Sequence, residues 1–498
     1  MKINSIKEKG AVFMNVQTPK LVLYILTGVY VLWLIYMIAN NIWLITSPYP
    51  IEYREGHSMS STYLLLKGIM PFTVETYPEY YNSYGILFNL LALPFAAIWQ
   101  DSLIPYRLLN ELCVLLAIGI ALFYKRKPTY SSMLFAALCN FYLFYHINTN
   151  VSVRPDGLGV LLFISSIIIP LRNEFSNRSL TISGVLGVLA FFTKPYYLLG
   201  WYLISAILLF RDWTRFLYAN IAFHLSFLAI CMLVNWIFPL YFYETIFAYS
   251  NSVGDMHYSL RQMIYSLKRL SPLAVLFFVG FFSHITDKKH IGWQYLMLLL
   301  LVSVLLLYPL GTNDGAYLTY HAQLLAPIML AFCAEIYDEP KLNSLFVHIL
   351  VLLCCVYSFV KVPLMHRTSS NGWEKVEKYI SESSNINNNP CVAPLIIFQD
   401  KSVTDDGVSG FVYEYMPKPL TTALFGKDSI LLQRKNQYVE SINRNFVDKK
   451  YDCVFVGRRL EEDVTVPKSI TDNYHCVDSC VVNMPCNLII RMSIYKPL

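Results

Sequence analysis

Apolar runs of ~20 residues, the length needed to cross a hydrocarbon core, recur along this 498-residue chain from Leu21 as far as Val362. The chain is 55% hydrophobic and 14% charged, where soluble domains carry about 25% charged residues. It therefore reads as a polytopic α-helical membrane protein. The net charge of +6 resides mainly in short loops, where basic residues set topology. No basic stripe with interleaved aromatics is present, which excludes nucleic acid as a partner and leaves membrane lipids as the surroundings.

Charge orders the spans. Lys2, Lys7, Lys9 and Lys20 place residues 1–20 in the cytoplasm, and the segment lacks a small-residue cleavage site, so residues 21–45 are the first span rather than a removed leader. The Lys125-Arg126-Lys127 cluster belongs inside again, which leaves room for only one of the two intervening apolar segments to cross. The segment from Tyr84 to Trp99 is short and carries Asn89 and Pro94, so it is expected to lie along or dip into the outer face, with Leu103 to Tyr124 as span two. Continuing the alternation gives about eleven spans over residues 21–362, with outer loops at 47–83, 148–157, 241–270 and 310–321. Span three falls near Met133–Tyr145 and span eleven ends near Val362.

From Pro363 the composition turns polar, and residues 363–498 are expected to form a small extracytoplasmic α/β or α+β domain. Its strand-like runs are Cys391–Phe398, Cys453–Val456 and Asn487–Ile490, preceded by a linker over Asn385–Pro390. Five of the 11 cysteines fall there. Outside the cytoplasm disulfides are permitted, and Cys476, Cys480 and Cys486 are close enough in sequence to take part. A zinc site is the rival, but the spacing has no CxxC pair. The six remaining cysteines read as apolar packing residues within the spans.

The distinctive ionisable residues fall on the outer side: Glu52, Arg54, Glu55 and His57 in the first loop, Arg154 and Asp156 in the second, Lys194 after span five, then Arg261, Lys268, Arg269 and His321. Such a gathering at a membrane interface suits a charged headgroup. A carboxylate such as Glu55 would deprotonate an acceptor hydroxyl, and cations such as Lys194 or Arg261 would hold a phosphate as negative charge grows on it. Each residue also has a structural alternative. Glu55 pairs with Arg54 or caps a helix, Arg154 pairs with Asp156, Lys194 snorkels, and Tyr84 joins Tyr77, Tyr80 and Tyr81 in an interfacial belt.

The first outer loop reads Glu55-Gly56-His57, then Lys67-Gly68-Ile69-Met70-Pro71-Phe72, then Tyr77-Pro78-Glu79-Tyr80-Tyr81-Asn82-Ser83-Tyr84-Gly85. It resembles the first outer loop of GT-C superfamily glycosyltransferases, in the bacterial-type branch related to protein O-mannosyltransferases and the lipid A aminoarabinose transferase. Arg154-Pro155-Asp156-Gly157 resembles the superfamily's second acidic motif, and Phe192-Thr193-Lys194-Pro195 its lysine-bearing loop. The resemblance implies a multi-pass enzyme of the bacterial inner membrane. It implies a polyprenyl-phosphate-linked sugar donor, a glycan, lipid or protein acceptor in the envelope, Glu55 as catalytic base with Asp156 beside it, and Glu52, Arg54, His57, Tyr84, Arg154, Lys194, Arg261, Lys268 and His321 around the substrates. Two departures stand out. Tyr320-His321 occupies the place of the family's Arg-Tyr, and the lone acid of the first motif leaves Glu52 as a rival base. No cofactor is required, and the spacing does not call for a divalent metal (Mg or Mn).

Two other classes compete. A polysaccharide polymerase would work at the same face but needs a large Arg-rich outer loop, and a non-enzymatic lipid or glycan transporter should show internal repeats with ionisable residues at mid-span.

Overall fold

In a bilayer a long apolar run can satisfy its backbone only as a helix or a closed barrel, and here the runs are helices. The computed structural model describes residues 20–126, 152–247, 255–284, 289–308, 310–312, 318–337, 349, 352–353, 370–404, 430–459, 468–485 and 488–498. Before residue 200 the helices are α1 (Lys20–Ile45), α2 (Glu55–Leu66), α3 (Leu87–Ile98), α4 (Ile104–Phe123), α5 (Asp156–Arg172), α6 (Asn177–Phe191) and, after a 3-10 turn at Pro195–Leu198, α7 (Leu199–Arg211). They continue as α8 (Trp213–Ile237), α9 (Met256–His284), α10 (Lys289–Leu307) and α11 (Leu318–Tyr337).

Among the described residues α1, α4 and α8 are long and apolar enough to cross a membrane; a fourth candidate is α9, whose limbs Met256–Lys268 and Leu270–Phe282 meet at 70°. The expected third span, most of the eleventh, and the Lys-Arg-Lys cluster beyond Arg126 lie outside the described residues. At 12 residues, α3 is about 18 Å long, one of several apolar helices shorter than a full span. Where an outer loop is expected through Arg269, the chain is instead helical from Met256. α5 is the central helix, buried along most of its length and packed against α4, α6, α7 and α11.

The C-terminal part carries α12 (Ser370–Glu382), α13 (Ala393–Phe398), α14 (Ile430–Val447) and strands β1 (Ile386–Asn387), β2 (Cys453–Arg459), β3 (Tyr474–Met484) and β4 (Leu488–Pro497). The sheet order is β1-β2-β4-β3. β1 runs parallel to β2, and the other two pairings are antiparallel. Two sequence expectations change here. The run from Cys391 is helical, because Pro390 and Pro394 each sit in a first helical turn, where a missing N–H costs nothing. The expected linker contributes β1, with Ile386 opposite Cys453. Cys476 and Cys480 are unbonded; four residues apart on one strand they lie about 13 Å apart, beyond disulfide reach. Cys486 is outside the described residues.

This part closes over the stretch from Tyr49 to Glu79. Tyr49 stacks on the buried Trp373 with centroids 5.5 Å apart and its hydroxyl donates to Glu377 at 3.3 Å. Tyr63 donates to Asp400 at 2.7 Å, and Lys67 pairs with the same carboxylate at 2.7 Å. Ser402 donates to Glu79 at 2.8 Å, and Arg434 to the Val74 carbonyl at 3.1 Å. α13 sits on α2 at Gly56, where a Cβ would come within 2.7 Å of the Ala393 Cβ.

Candidate active site

Glu55 opens α2 and is fully buried. Arg107 of α4, also fully buried, holds it from two sides, Nε to Oε1 at 2.9 Å and Nη2 to Oε2 at 2.8 Å. The Ile51 amide donates to Oε2 at 2.8 Å and the Val153 amide to Oε1 at 2.9 Å. The rest of the guanidinium donates to the carbonyls of Leu44, Ser47 and Tyr49, fastening the end of α1 and the chain after it. One ion pair thus ties α1, α2, α4 and the segment just before α5. Two guanidinium N–H groups and two amides engage the carboxylate along all its lone-pair directions. At this position Glu55 is one half of a fully buried ion pair, with both of its oxygens engaged.

Beside it lies a second cluster. Arg154 grips Glu52 with Nη2 to Oε1 at 2.7 Å and Nε to Oε2 at 3.3 Å, and the Arg54 amide donates to Glu52 Oε2 at 3.0 Å. Lys194 Nζ donates to Asp156 Oδ1 at 2.7 Å, where the Tyr197 hydroxyl also arrives at 3.2 Å. Tyr197 and Tyr196 then donate to Gln323 Oε1 at 2.9 and 3.3 Å, linking the cluster to α11. The other carboxylate oxygen, Asp156 Oδ2, is buried with no hydrogen-bond partner among the described residues, and its nearest ion is Arg154 Nη1 at 3.9 Å. The start of α5 is held by Asn110 of α4, which accepts from the Gly157 amide at 2.7 Å and donates to the Ser152 carbonyl at 3.0 Å.

Lys194 also lies 4.3 Å from the centre of the Tyr84 ring. The two segments meet because the Gly85 and Leu87 amides donate to the carbonyls of Thr193 and Phe192, each at 3.0 Å. Only glycine permits that approach, since a Cβ at Gly85 would lie 2.0 Å from the Phe192 oxygen. Burial acts to raise the Tyr84 hydroxyl, but the charges of Arg154, Lys194 and Arg54 outweigh it and hold it below the usual tyrosine range. His57 is buried against this wall, with Nε2 3.0 Å from Ser83 Oγ and its ring edge-on to Tyr84.

The structure therefore brings together Glu52, Arg54, Arg154, Asp156, Lys194, Tyr84 and His57; His321 is buried on α11, next in the chain to Tyr320, whose ring packs 4.8 Å from Tyr196. Arg261 and Lys268 differ: both are exposed on the first limb of α9, Lys268 over the Tyr265 ring. The side chain of Arg269 is outside what is described. Sequence reasoning missed Arg107, Asn110, Tyr196, Tyr197 and Glu244, whose carboxylate accepts from the Asn82 amide at 2.8 Å. A lone arginine near the start of an apolar run was the signal available for Arg107. Among the described residues no group of three or more His, Cys, Asp or Glu converges as a metal site requires.

No protein-family model matches this sequence, and no curated protein matches it. Solved structures do. ArnT from Cupriavidus metallidurans bound to undecaprenyl phosphate superposes with a TM-score of 0.52 over 92% of this chain and 98% of its own, at 10% identity. The same protein in the apo state gives a TM-score of 0.54 over 92% and 97%, again at 10% identity. The fold is that of ArnT. The likeness in fold extends over 92% of this chain.

Proposed function

We propose that this chain is a membrane glycosyltransferase that moves a sugar from a polyprenyl-phosphate donor to an acceptor hydroxyl on an envelope glycan, lipid or protein. The observation that carries this reading is the second cluster. Three cations, Arg54, Arg154 and Lys194, surround Tyr84 and face two carboxylates, Glu52 and Asp156, so one positive charge is left over for a phosphate. A protein of the same fold holds undecaprenyl phosphate, and an anionic phosphate on a long apolar chain is the ligand such a cluster at the head of apolar helices suits.

The carboxylate roles are reassigned from the sequence reading. Asp156 Oδ2, the oxygen not engaged by a donor, takes the proton of the acceptor hydroxyl. The acceptor oxygen bonds to the sugar's anomeric carbon as the bond from that carbon to the phosphate oxygen breaks, with inversion. The lipid phosphate leaves with its new charge facing Lys194, Arg154 and Arg54. Glu52 holds Arg154 in place, and Tyr84 gives the sugar a flat face. Glu55 builds the site without entering the reaction, His57 and His321 support it from buried positions, and Arg261 and Lys268 are outer contacts to donor or acceptor. The reaction needs no divalent metal. In the membrane the cluster faces the extracytoplasmic side of a bacterial inner membrane, about eleven spans carry it, and the part after Pro363 covers it from outside.

The test is transfer of radiolabelled sugar from a panel of polyprenyl-monophosphate donors to envelope extract by the purified chain. Incorporation by wild type that disappears in Asp156→Asn and falls in Lys194→Met supports the reading. A folded wild type that transfers from no donor overturns it.

A further inference from the structure

A second concave feature lies apart from the ion cluster. An apolar groove of about 710 Å³ runs between α6 and α8. Trp201 of α7 and Phe223 of α8 floor it, stacked with centroids 4.6 Å apart and planes 21° apart. Small residues along its walls, among them Gly184, Thr181 and Ala222, keep it open. It follows the whole of α6, 15 residues or about 22 Å, and its outer wall α8 is almost entirely unburied within the protein. A groove of this length, apolar and open to the hydrocarbon, suits a lipid chain.

The two ends differ, and the difference fixes which way a lipid would lie. The end nearer the ion cluster is lined by Phe192, a buried ring packed 5.3 Å from Phe191 and 5.6 Å from the buried Tyr241. No charged head fits there. The opposite end is lined by Asn177 and Arg215, and Arg215 has half its side chain exposed while pairing with Asp212 at 3.2 Å. Arg178 and Arg211 belong to the same end of the helices, so three cations stand against Glu174 and Asp212. The head that belongs there is negative.

We infer that this groove is a binding site for an anionic glycerophospholipid of the leaflet facing away from the ion cluster, with one acyl chain between α6 and α8 and the phosphate at Arg215. The inference stands apart from the transferase reading, since it uses none of the residues of the reaction. The occupant braces α6, whose C-terminal end delivers Lys194 two residues beyond Phe192.

The full chain would be placed in nanodiscs of equal parts phosphatidylglycerol and phosphatidylcholine, and the lipid retained on release counted by native mass spectrometry. Wild type should keep one phosphatidylglycerol in preference to phosphatidylcholine. Arg215→Ala should lower that preference about fivefold, the worth of one interfacial arginine. Ala222→Trp, at an exposed position of the groove wall, should lose the lipid, and Thr181→Trp from the facing wall should do the same if the first variant proves unstable. Lipid retained at the bulk ratio by wild type, or retention unchanged in both tryptophan variants, would overturn the site. So would displacement of the lipid by added undecaprenyl phosphate, which would give the groove to a polyprenyl tail.

Discussion

Replacing Glu55 with glutamine separates a structural carboxylate from a catalytic one. In the wild type the Arg107 guanidinium and the amides of Ile51 and Val153 all point at its two oxygens. Glutamine keeps the size but turns an NH₂ toward donors on one side, and it leaves the fully buried Arg107 without a counter-ion. Breaking a buried pair from one side costs about 3–5 kcal/mol, a large share of the ~5–15 kcal/mol that holds a typical domain folded. At roughly 2–4 °C per kcal/mol, Tm should fall by at least about 6 °C. The assay is a thermal ramp of the purified full chain read by fluorescence-detected size exclusion, run beside initial transfer rates. Arg107→Met should show a similar drop. Glu55→Leu combined with Arg107→Met should cost less than the two single changes added together, because the double variant buries no unpaired charge. A Glu55→Gln protein with an unshifted Tm and no turnover would refute the argument and return the base role to Glu55.

Further expectations follow from the cluster and from the closing part of the chain. Tyr197→Phe removes the one hydroxyl that lies between Asp156 Oδ1 and Gln323 Oε1, and should lower kcat about tenfold with Tm little changed, measured by steady-state transfer. Activity should be unaffected by exhaustive EDTA treatment, since nothing in the proposed step uses a metal; loss restored by Mg or Mn would refute that. The Asp400 carboxyl is held below its usual range by its contacts with Lys67 and then Tyr63. A depressed folded-state value means the contact contributes fully above the unfolded-state value of about 4 and is lost as pH falls through the lower folded one. Hydrogen exchange at α13 should therefore rise on acidification below about pH 4, and Asp400→Asn should flatten that rise. Gly56→Val should loosen α13 from α2, detected as faster proteolysis after residue 400.

The sequence disclosed the helices and the membership of the ion cluster more fully than the pairing within it. Glu52, Arg154, Asp156 and Lys194 were conspicuous as ionisable residues between apolar runs, where charge is costly without a use. Their partners were not, because pairing depends on which helices pack together. Arg107 lies 52 residues from Glu55, and no local rule connects α4 with α2. The same holds for Asn110 at the start of α5 and for the tyrosines that bridge Asp156 to α11. The helix at Ala393–Phe398 was hidden for another reason. Its apolar run is too short for periodicity to tell strand from helix, and only the placing of Pro390 and Pro394 spoke for a helical start. The bend in α9 left no mark that hydropathy could register.

The Arg107 pair also carries an order of assembly. Synthesis delivers Glu55 first, Arg107 52 residues later, and the Val153 amide last, 98 residues after Glu55. An arginine entering a bilayer alone meets a penalty of up to about 2.5–3.5 kcal/mol, so α4 gains from a carboxylate already waiting beside it. Only when the next stretch of chain emerges can Val153 close on Glu55, and Asp156 sits three residues further on. The ion cluster around Asp156 is thus completed only after the Glu55–Arg107 scaffold has been made.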